Sequence, residues 1–277
     1  MKRRLFNAAL CLLAALLLCG AAAPAEPTLA VHVFDASKAD AILFMTAEGA
    51  VLIDTGEKGF GKEIVAYCRE QGIERIDCLI LTHFDKDHIG GAAKVINKLP
   101  VGQILQSNYP KESAEMRNYL TAVERAGLAP LTLREELSFT LGGVIFTVNP
   151  PALEHYDSSP SNNSSLIVTA ECGARRLLFL GDAENARLAE FLASDPGTFD
   201  LVKLPHHGAW HRMLPQLFAQ TQPSLAVITS SDEEPENPKT TALLQSLGVE
   251  YLLTREGALD LFCDGQALTA AQSERGR

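Results

Sequence analysis

Positive charge is scarce in this sequence. Its 277 residues carry 24 Lys and Arg against 34 Asp and Glu, a formal net charge of −10. Affinity for a nucleic-acid backbone is mainly electrostatic, and no dense Lys/Arg cluster stands out beyond the first few residues. Charge therefore argues against tight nucleic-acid binding, though not against hydrolysing a nucleic acid. Long apolar runs are also rare. Ala8 to Leu18 form one, behind Lys2, Arg3 and Arg4 and ahead of the small residues Ala23-Pro24-Ala25. The run is too short to span a bilayer with ease, and residues 1–25 read as a signal peptide cleaved after Ala25. Leu18 is bulkier than a lipid-attachment signal prefers before Cys19, so a lipoprotein ranks second and a retained anchor third. Residues 26–277 are then expected outside the cytoplasm, secreted or at the periplasm or cell surface. They contain no further transmembrane segment, and their charge is more negative still, because the segment removed holds three cations and no acid.

Cysteine gives little guidance. Cys68, Cys78, Cys172 and Cys263 lie beyond residue 25, and their spacing fits no zinc knuckle. Export permits disulfides, but buried thiols suit a domain of this size equally well. No low-complexity linker divides the chain, so one large domain is expected.

Short apolar strands alternate with amphipathic helices. Strands are read at Leu29–Phe34, Ala41–Met45, Val51–Ile53, Cys78–Leu81 and Gln103–Leu105, with helices near Lys62–Glu70, from Gly90 and at Ser113–Ala126. The second half holds hairpins at 139–148 and 166–180 and strands at Leu201–Leu204, Leu225–Ile228, Tyr251–Leu253 and Leu259–Phe262. Helices are read there at Glu184–Leu192 and Thr240–Leu247. Two sheets packed face to face with helices outside follow from this pattern. Asn149 to Ser165 lacks periodicity and reads as a loop at the active-site rim.

Chemistry concentrates at strand ends. The apolar Leu79-Ile80-Leu81 runs into Thr82-His83-Phe84-Asp85-Lys86-Asp87-His88, and Gly90-Gly91 lets backbone fold closely around that loop. His83, Asp85, Asp87 and His88 can serve two adjacent metals, whereas a solvated loop would have little use for the buried strand. Leu180-Gly181-Asp182 puts a carboxylate after another apolar strand, where it could equally cap the following helix. Leu204-Pro205-His206-His207-Gly208 does the same with imidazoles, which could singly be a surface pair. Three such strand ends in one chain favour a metal centre.

These residues resemble the metallo-β-lactamase superfamily, whose hallmark is His-x-His-x-Asp-His. The likeness is closer to the hydrolase domain of ComEC-type DNA-uptake proteins, which carry Asp where Asp85 stands. It extends to Asn163-x-Ser165-Leu166, Leu180-Gly181-Asp182, Lys203-x-Pro205-His206-His207-Gly208 and Thr254-Arg255-x-Gly257. The resemblance implies an α/β fold, an αββα sandwich of two mixed β-sheets flanked by helices, with a dimetal site along one edge. It implies that His83 and Asp85 hold one metal, that Asp87, His88 and His207 hold the other, and that Asp182 bridges them. His207 is preferred as ligand because it precedes the glycine, which frees His206 for the substrate phosphate or for general-acid work.

There are departures. Asp35-Ala36-Ser37-Lys38-Ala39-Asp40 replaces a glycine-containing stretch, Asn237 rather than His stands just before Pro238, and the third-motif His is not evident. The first metal is thereby short of a ligand, for which His155 is a candidate.

Two divalent ions, zinc first and manganese second, would activate a bridging water, with Asp87 or Asp182 accepting a proton. The expected substrate is a phosphodiester outside the cell: DNA, a nucleotide or a phosphorylated surface polymer. The competing class is a non-catalytic, metal-stabilised binding protein. His32 and His211 read first as structural, and Trp210 as either a stacking surface or a cover for the core.

Overall fold

Most strands of this chain are apolar on both faces, which obliges each sheet to be covered twice. The computed structural model of the chain describes residues 28–273; the segment read as a signal peptide lies outside them. In chain order the first half contains β1 (Leu29–Val33), β2 (Ile42–Thr46), β3 (Gly49–Ile53), α1 (Gly61–Glu70), β4 (Ile76–Leu81), α2 (Lys86–Ile89), α3 (Ala92–Ile96), β5 (Val101–Gln106), α4 (Ala114–Ala126) and β6 (Leu131–Thr132). There follow β7 (Leu137–Leu141), β8 (Val144–Asn149), α5 (Pro160–Asn163), β9 (Ile167–Cys172), β10 (Arg175–Phe179), α6 (Asn185–Ala193) and β11 (Leu201–Lys203). The chain closes with α7 (Leu214–Thr221), β12 (Leu225–Ile228), α8 (Pro238–Leu247), β13 (Glu250–Leu253), β14 (Leu259–Cys263) and β15 (Leu268–Gln272).

The strands form two mixed sheets, ordered β15-β14-β1-β2-β3-β4-β5-β6 and β13-β12-β11-β10-β9-β8-β7. Antiparallel pairing gives way to parallel pairing at β3–β4 in the first and at β10–β11 in the second. Alternate residues then sort into layers. Phe44, Val51, Ile53, Ile80, Phe146, Val168 and Phe179 fill the space between the sheets. Leu43, Leu52, Leu79 and Leu81 point the other way, against α1, α3 and α4, while Leu178, Val202 and Ala226 meet α6, α7 and α8. The result is an αββα sandwich. Among the described residues no helix is long and apolar enough to cross a membrane.

The expected strands are present, with shifted ends. The helix expected from Gly90 is two pieces, because the ligand loop itself turns helical: His88 N and Ile89 N both donate to Asp85 O at 3.0 Å. β6, β15, α5 and α7 are additions to the sequence reading. β15 is an edge strand exposing Thr269, Ala270 and Ala271, so it has no apolar alternation to detect. α7 begins Leu214-Pro215, where a first-turn proline loses no helical hydrogen bond. Cys68 and Cys78 are buried thiols. Cys172 and Cys263 meet across the two sheets, each Sγ donating to the other's carbonyl at 3.7 and 3.5 Å.

Phe44 is fully buried at the centre of the sandwich, edge-on to Phe146 at 5.5 Å and to Phe179 at 4.9 Å. Phe44→Ala should lower the unfolding free energy by about 3–5 kcal/mol, as read from urea denaturation; a loss under about 1 kcal/mol would show that the sheets do not pack there.

Candidate metal centre

The parallel strands of both sheets end on the same edge, and the loops leaving those ends carry the polar residues. β3 delivers Asp54 and Thr55, and β4 delivers Thr82, His83, Asp85, Asp87 and His88. From the second sheet come Asp182 after β10, His206 and His207 after β11 and Thr229 after β12. The β1–β2 loop adds Asp40. Crevices outside the carboxyl ends of parallel strands are where such folds place their ligands.

Close backbone approach holds the loops together. Thr55 donates to His88 O through N at 2.7 Å and Oγ1 at 2.8 Å, and Asp40 N donates to Asp87 O at 3.2 Å. A Cβ on Gly90 would lie within 2.5 Å of backbone atoms of Lys58, Glu57 and Lys86, and one on Gly91 2.3 Å from Thr55 O. Both glycines have ordinary negative φ, so lack of a side chain is what matters. On the other side His206 and His207 are consecutive left-handed residues, φ 48° and 56°. That turn sends neighbouring imidazoles in different directions.

Asp182 stands in the middle. Its Oδ1 lies 3.3 Å from His88 Nε2; its Oδ2 lies 3.3 Å from His207 Nε2 and 3.9 Å from both His83 Nε2 and His206 Nε2. Asp87 Oδ2 is 3.6 Å from His207 Nε2, and Asp85 Oδ1 is 4.0 Å from His83 Nε2. His83 Nε2, His88 Nε2, His207 Nε2 and Asp182 Oδ1 are buried and make no hydrogen bond. Buried polar atoms are nearly always paired, so convergent orphans of this chemistry fit divalent cations.

The far side of each ring is occupied. His88 Nδ1 is 2.7 Å from Asp54 Oδ2, and Asp54 accepts from Thr82 N at 2.8 Å and Oγ1 at 2.6 Å. His207 Nδ1 meets Thr229 Oγ1 at 3.0 Å and Asp40 Oδ1 at 3.5 Å, while Asp40 accepts from Thr229 at 2.7 Å and from the buried Lys203 ammonium. His83 Nδ1 has only hydroxyls, Thr82 at 3.2 Å and Ser165 at 3.5 Å. Asp85 Oδ1 accepts from Lys111 Nζ at 2.7 Å and from Ser161 Oγ.

Charge follows the geometry. Burial works to raise the Asp182 pKa, but His207 and His88 hold it well below the carboxylate range. Burial opposes charge on His207 too, yet Asp182, Asp40 and Asp87 raise its pKa to about 10. His83, buried and beside His88, is pushed down to about 3.

A family model of the metallo-beta-lactamase superfamily matches residues 36–228. This chain belongs to that superfamily. It is 26% identical over 215 residues to Recombination protein 2 of Haemophilus influenzae, covering 76% of this chain and 25% of that one. It is 27% identical over 226 residues to ComE operon protein 3 of Bacillus subtilis, covering 74% and 29%. The chain thus spans about a quarter of the length of these relatives. The metallo-beta-lactamase fold protein YhfI from Bacillus subtilis matches with a TM-score of 0.57 at 11% identity, over 82% of this chain and 96% of that one. The diiron β-hydroxylase CmlA from Streptomyces venezuelae matches with 0.53 at 15% identity, over 91% and 55%. At such identities the likeness is one of fold.

Within this metallo-beta-lactamase fold, His83, Asp87, His88, Asp182 and His207 come together, and Asp85 joins at the margin through Lys111 and Ser161. His206 sits at the rim, its Nδ1 3.5 Å from Glu184 Oε1. His155 does not reach the cluster: it is exposed, with its ring 5.9 Å from that of Tyr109. The 149–165 loop is held next to His155 by Tyr156, which is buried and donates to Glu190 at 2.8 and 2.7 Å, and at its ends by Arg187 on Asn149 and Ser165. His32 is a structural residue, 2.7 Å from Asp260 and stacked on Tyr67. His211 is buried and stacks on His206. Trp210 packs on the second outer core. Sequence reasoning passed over Asp54 and Lys111. Asp54 had a signal, an apolar strand ending in Asp as at Asp182; Lys111, in an irregular segment, had none.

A group whose folded pKa is raised stabilises the fold below its unfolded pKa and ceases to as pH rises through the folded one. Metal-free protein should therefore lose melting temperature between pH 6.5 and about 10, the interval over which folded His207 keeps a proton that the unfolded chain releases. His207→Gln should make that decline shallower, leaving the share of His88, whose pKa Asp182 and Asp54 raise against the opposing effect of burial. Calorimetry in chelator checks it, and a flat wild-type profile would contradict the charge network described.

Proposed function

We propose that this chain is a metal-dependent phosphodiester hydrolase acting outside the cytoplasm after loss of residues 1–25. The observation that carries the reading is that four buried ligand atoms without a hydrogen bond among the described residues, His83 Nε2, His88 Nε2, His207 Nε2 and Asp182 Oδ1, gather in overlapping groups around Asp182. In this reading Asp87, His88 and His207 hold one divalent ion, His83 and Asp85 a second, and Asp182 serves both. Zinc suits the mixed nitrogen and oxygen donors, and manganese suits the carboxylates. Ions so held supply Lewis acidity toward water and phosphoryl oxygens.

The chain's own groups supply the rest. Asp87, one-fifth exposed at its side chain, faces the cluster and can take a proton from attacking water. His206 is 27% exposed, with Glu184 behind Nδ1 and Nε2 toward the cluster. That polarity suits a donor to the leaving oxygen or a contact to phosphate. Clefts of 430 and 440 Å³ flank the cluster, one lined by Tyr109, Lys111, Ser161 and Asn162, the other by Lys38, His206, His207 and Asn237. A phosphodiester held by Lys111 and Asn162 on one side and by Lys38 and His206 on the other would lie beside the ligand cluster. The name of one relative, Recombination protein 2, favours DNA; the net charge of −10, more negative still without residues 1–25, favours a smaller ester or nucleotide. The pairing of Asp85 with Lys111 is the observation favouring a non-catalytic, metal-stabilised binding protein.

Metal-loaded protein should hydrolyse bis-para-nitrophenyl phosphate. Asp87→Ala should cost more than the roughly 10- to 100-fold that loss of an outer partner typically costs. His206→Ala should lower kcat by about 10²-fold with metal content unchanged. Metal-replete protein inert on this ester and on DNA would favour the binding protein.

A further inference from the structure

The three imidazoles of the cluster differ in what stands behind them, and so do its two outer carboxylates. Behind His88 is the Asp54 carboxylate at 2.7 Å, and behind His207 are Thr229 at 3.0 Å and Asp40 at 3.5 Å. A carboxylate behind a ligating imidazole fixes its tautomer and raises its basicity. His83 lacks that support: the Thr82 hydroxyl, which already donates to Asp54, and the Ser165 hydroxyl, which accepts from Asp182 N at 3.1 Å, are its neighbours at Nδ1. The carboxylates differ more. Asp87 faces His207 Nε2, whereas Asp85 Oδ1 is engaged by the Lys111 ammonium at 2.7 Å and by Ser161. A carboxylate neutralised by lysine is a poorer donor, and the ammonium repels a second cation at short range.

We infer that the cluster's two positions are unequal, that the Asp87–His88–His207–Asp182 position fills first and tightly, and that Lys111 sets the weaker affinity of the His83–Asp85 position. The inference rests on the reading above that the cluster binds metal. Lys111 lies in the irregular segment between β5 and α4, its side chain 39% exposed, and it lines the 430 Å³ cleft beside Tyr109 and Ser161. It can therefore leave Asp85 for solvent when a second ion enters, so the affinity is lowered rather than abolished. Lys111 is a positioning residue in this sense: it acts on the ion through Asp85.

The test is calorimetric titration of Mn²⁺ into chelator-stripped full chain, with bound metal counted by elemental analysis after dialysis. Wild type should take up two ions in steps separated by at least about tenfold in affinity, and keep one on dialysis. Lys111→Met should strengthen the weaker step by about tenfold and leave the tighter unchanged; Lys111→Arg should restore the wild-type gap. Asp87→Ala should weaken the tighter step. Lys111 is partly exposed and outside the cores, and melting curves check that the variants fold. Two equal steps in wild type, or a weaker step that Lys111→Met leaves unchanged or weakens further, would overturn the inference while leaving the metal centre standing. No bound ion at all would overturn the metal reading itself.

Discussion

Asp182 is a carboxylate 3% exposed to solvent and within 4 Å of four imidazoles. A buried charge is tolerated only with compensating partners, and removing one strands the others at a cost of several kcal/mol. The edge of the molecule is arranged around that requirement. Gly181, with φ 52°, lets the strand end turn against Thr82 and Ser165, 3.1 Å from where a Cβ would stand. His206 N donates back to Gly181 O at 3.0 Å, tying the two second-sheet loops together. Leu166 N donates to Thr82 O at 2.9 Å and links the sheets at the same level.

The compensation extends outward in rings. His88 and His207 face Asp182, Asp54 and Asp40 face those imidazoles, and Thr82, Thr229 and Lys203 face those carboxylates. Lys203 is a fully buried lysine whose ammonium is paired with the Asp40 carboxylate. Burial would raise the Asp40 pKa, but Lys203 and His207 hold it well below the carboxylate range. Strain is spent here too: Asp54, His206 and His207 all take left-handed backbone conformations without being glycine.

Much of this was legible in the sequence because it depends on local pattern. Leu79-Ile80-Leu81 and Leu177-Leu178-Phe179-Leu180 announce strands covered on both faces, and the polar residues directly after them must lie at the sheet edge. Ser113, read from sequence as the first residue of the helix, instead caps α4 by accepting from Met116 N. What sequence left obscure depends on where loops fold back. Lys111 and Ser161 are distant in sequence, yet both meet Asp85. His155 was a reasonable candidate by residue type, but its neighbour Tyr156 is buried against Glu190 of α6 and the imidazole is exposed. The motif Asn163-x-Ser165 was legible only as part of the family resemblance. Asn163 is in fact the brace of α6, accepting from Glu184 N and Arg187 N, and Ser165 holds Asp182 N.

The gathered residues come from both sheets, His83, Asp87 and His88 from the first and Asp182 and His207 from the second. The polypeptide therefore reaches residue 207 and docks one sheet on the other before any such cluster exists. Anything that requires all five of these residues together is absent from a growing or unfolded chain and arises with the completed core. The fold thereby makes the docking of its two sheets the step that creates the cluster.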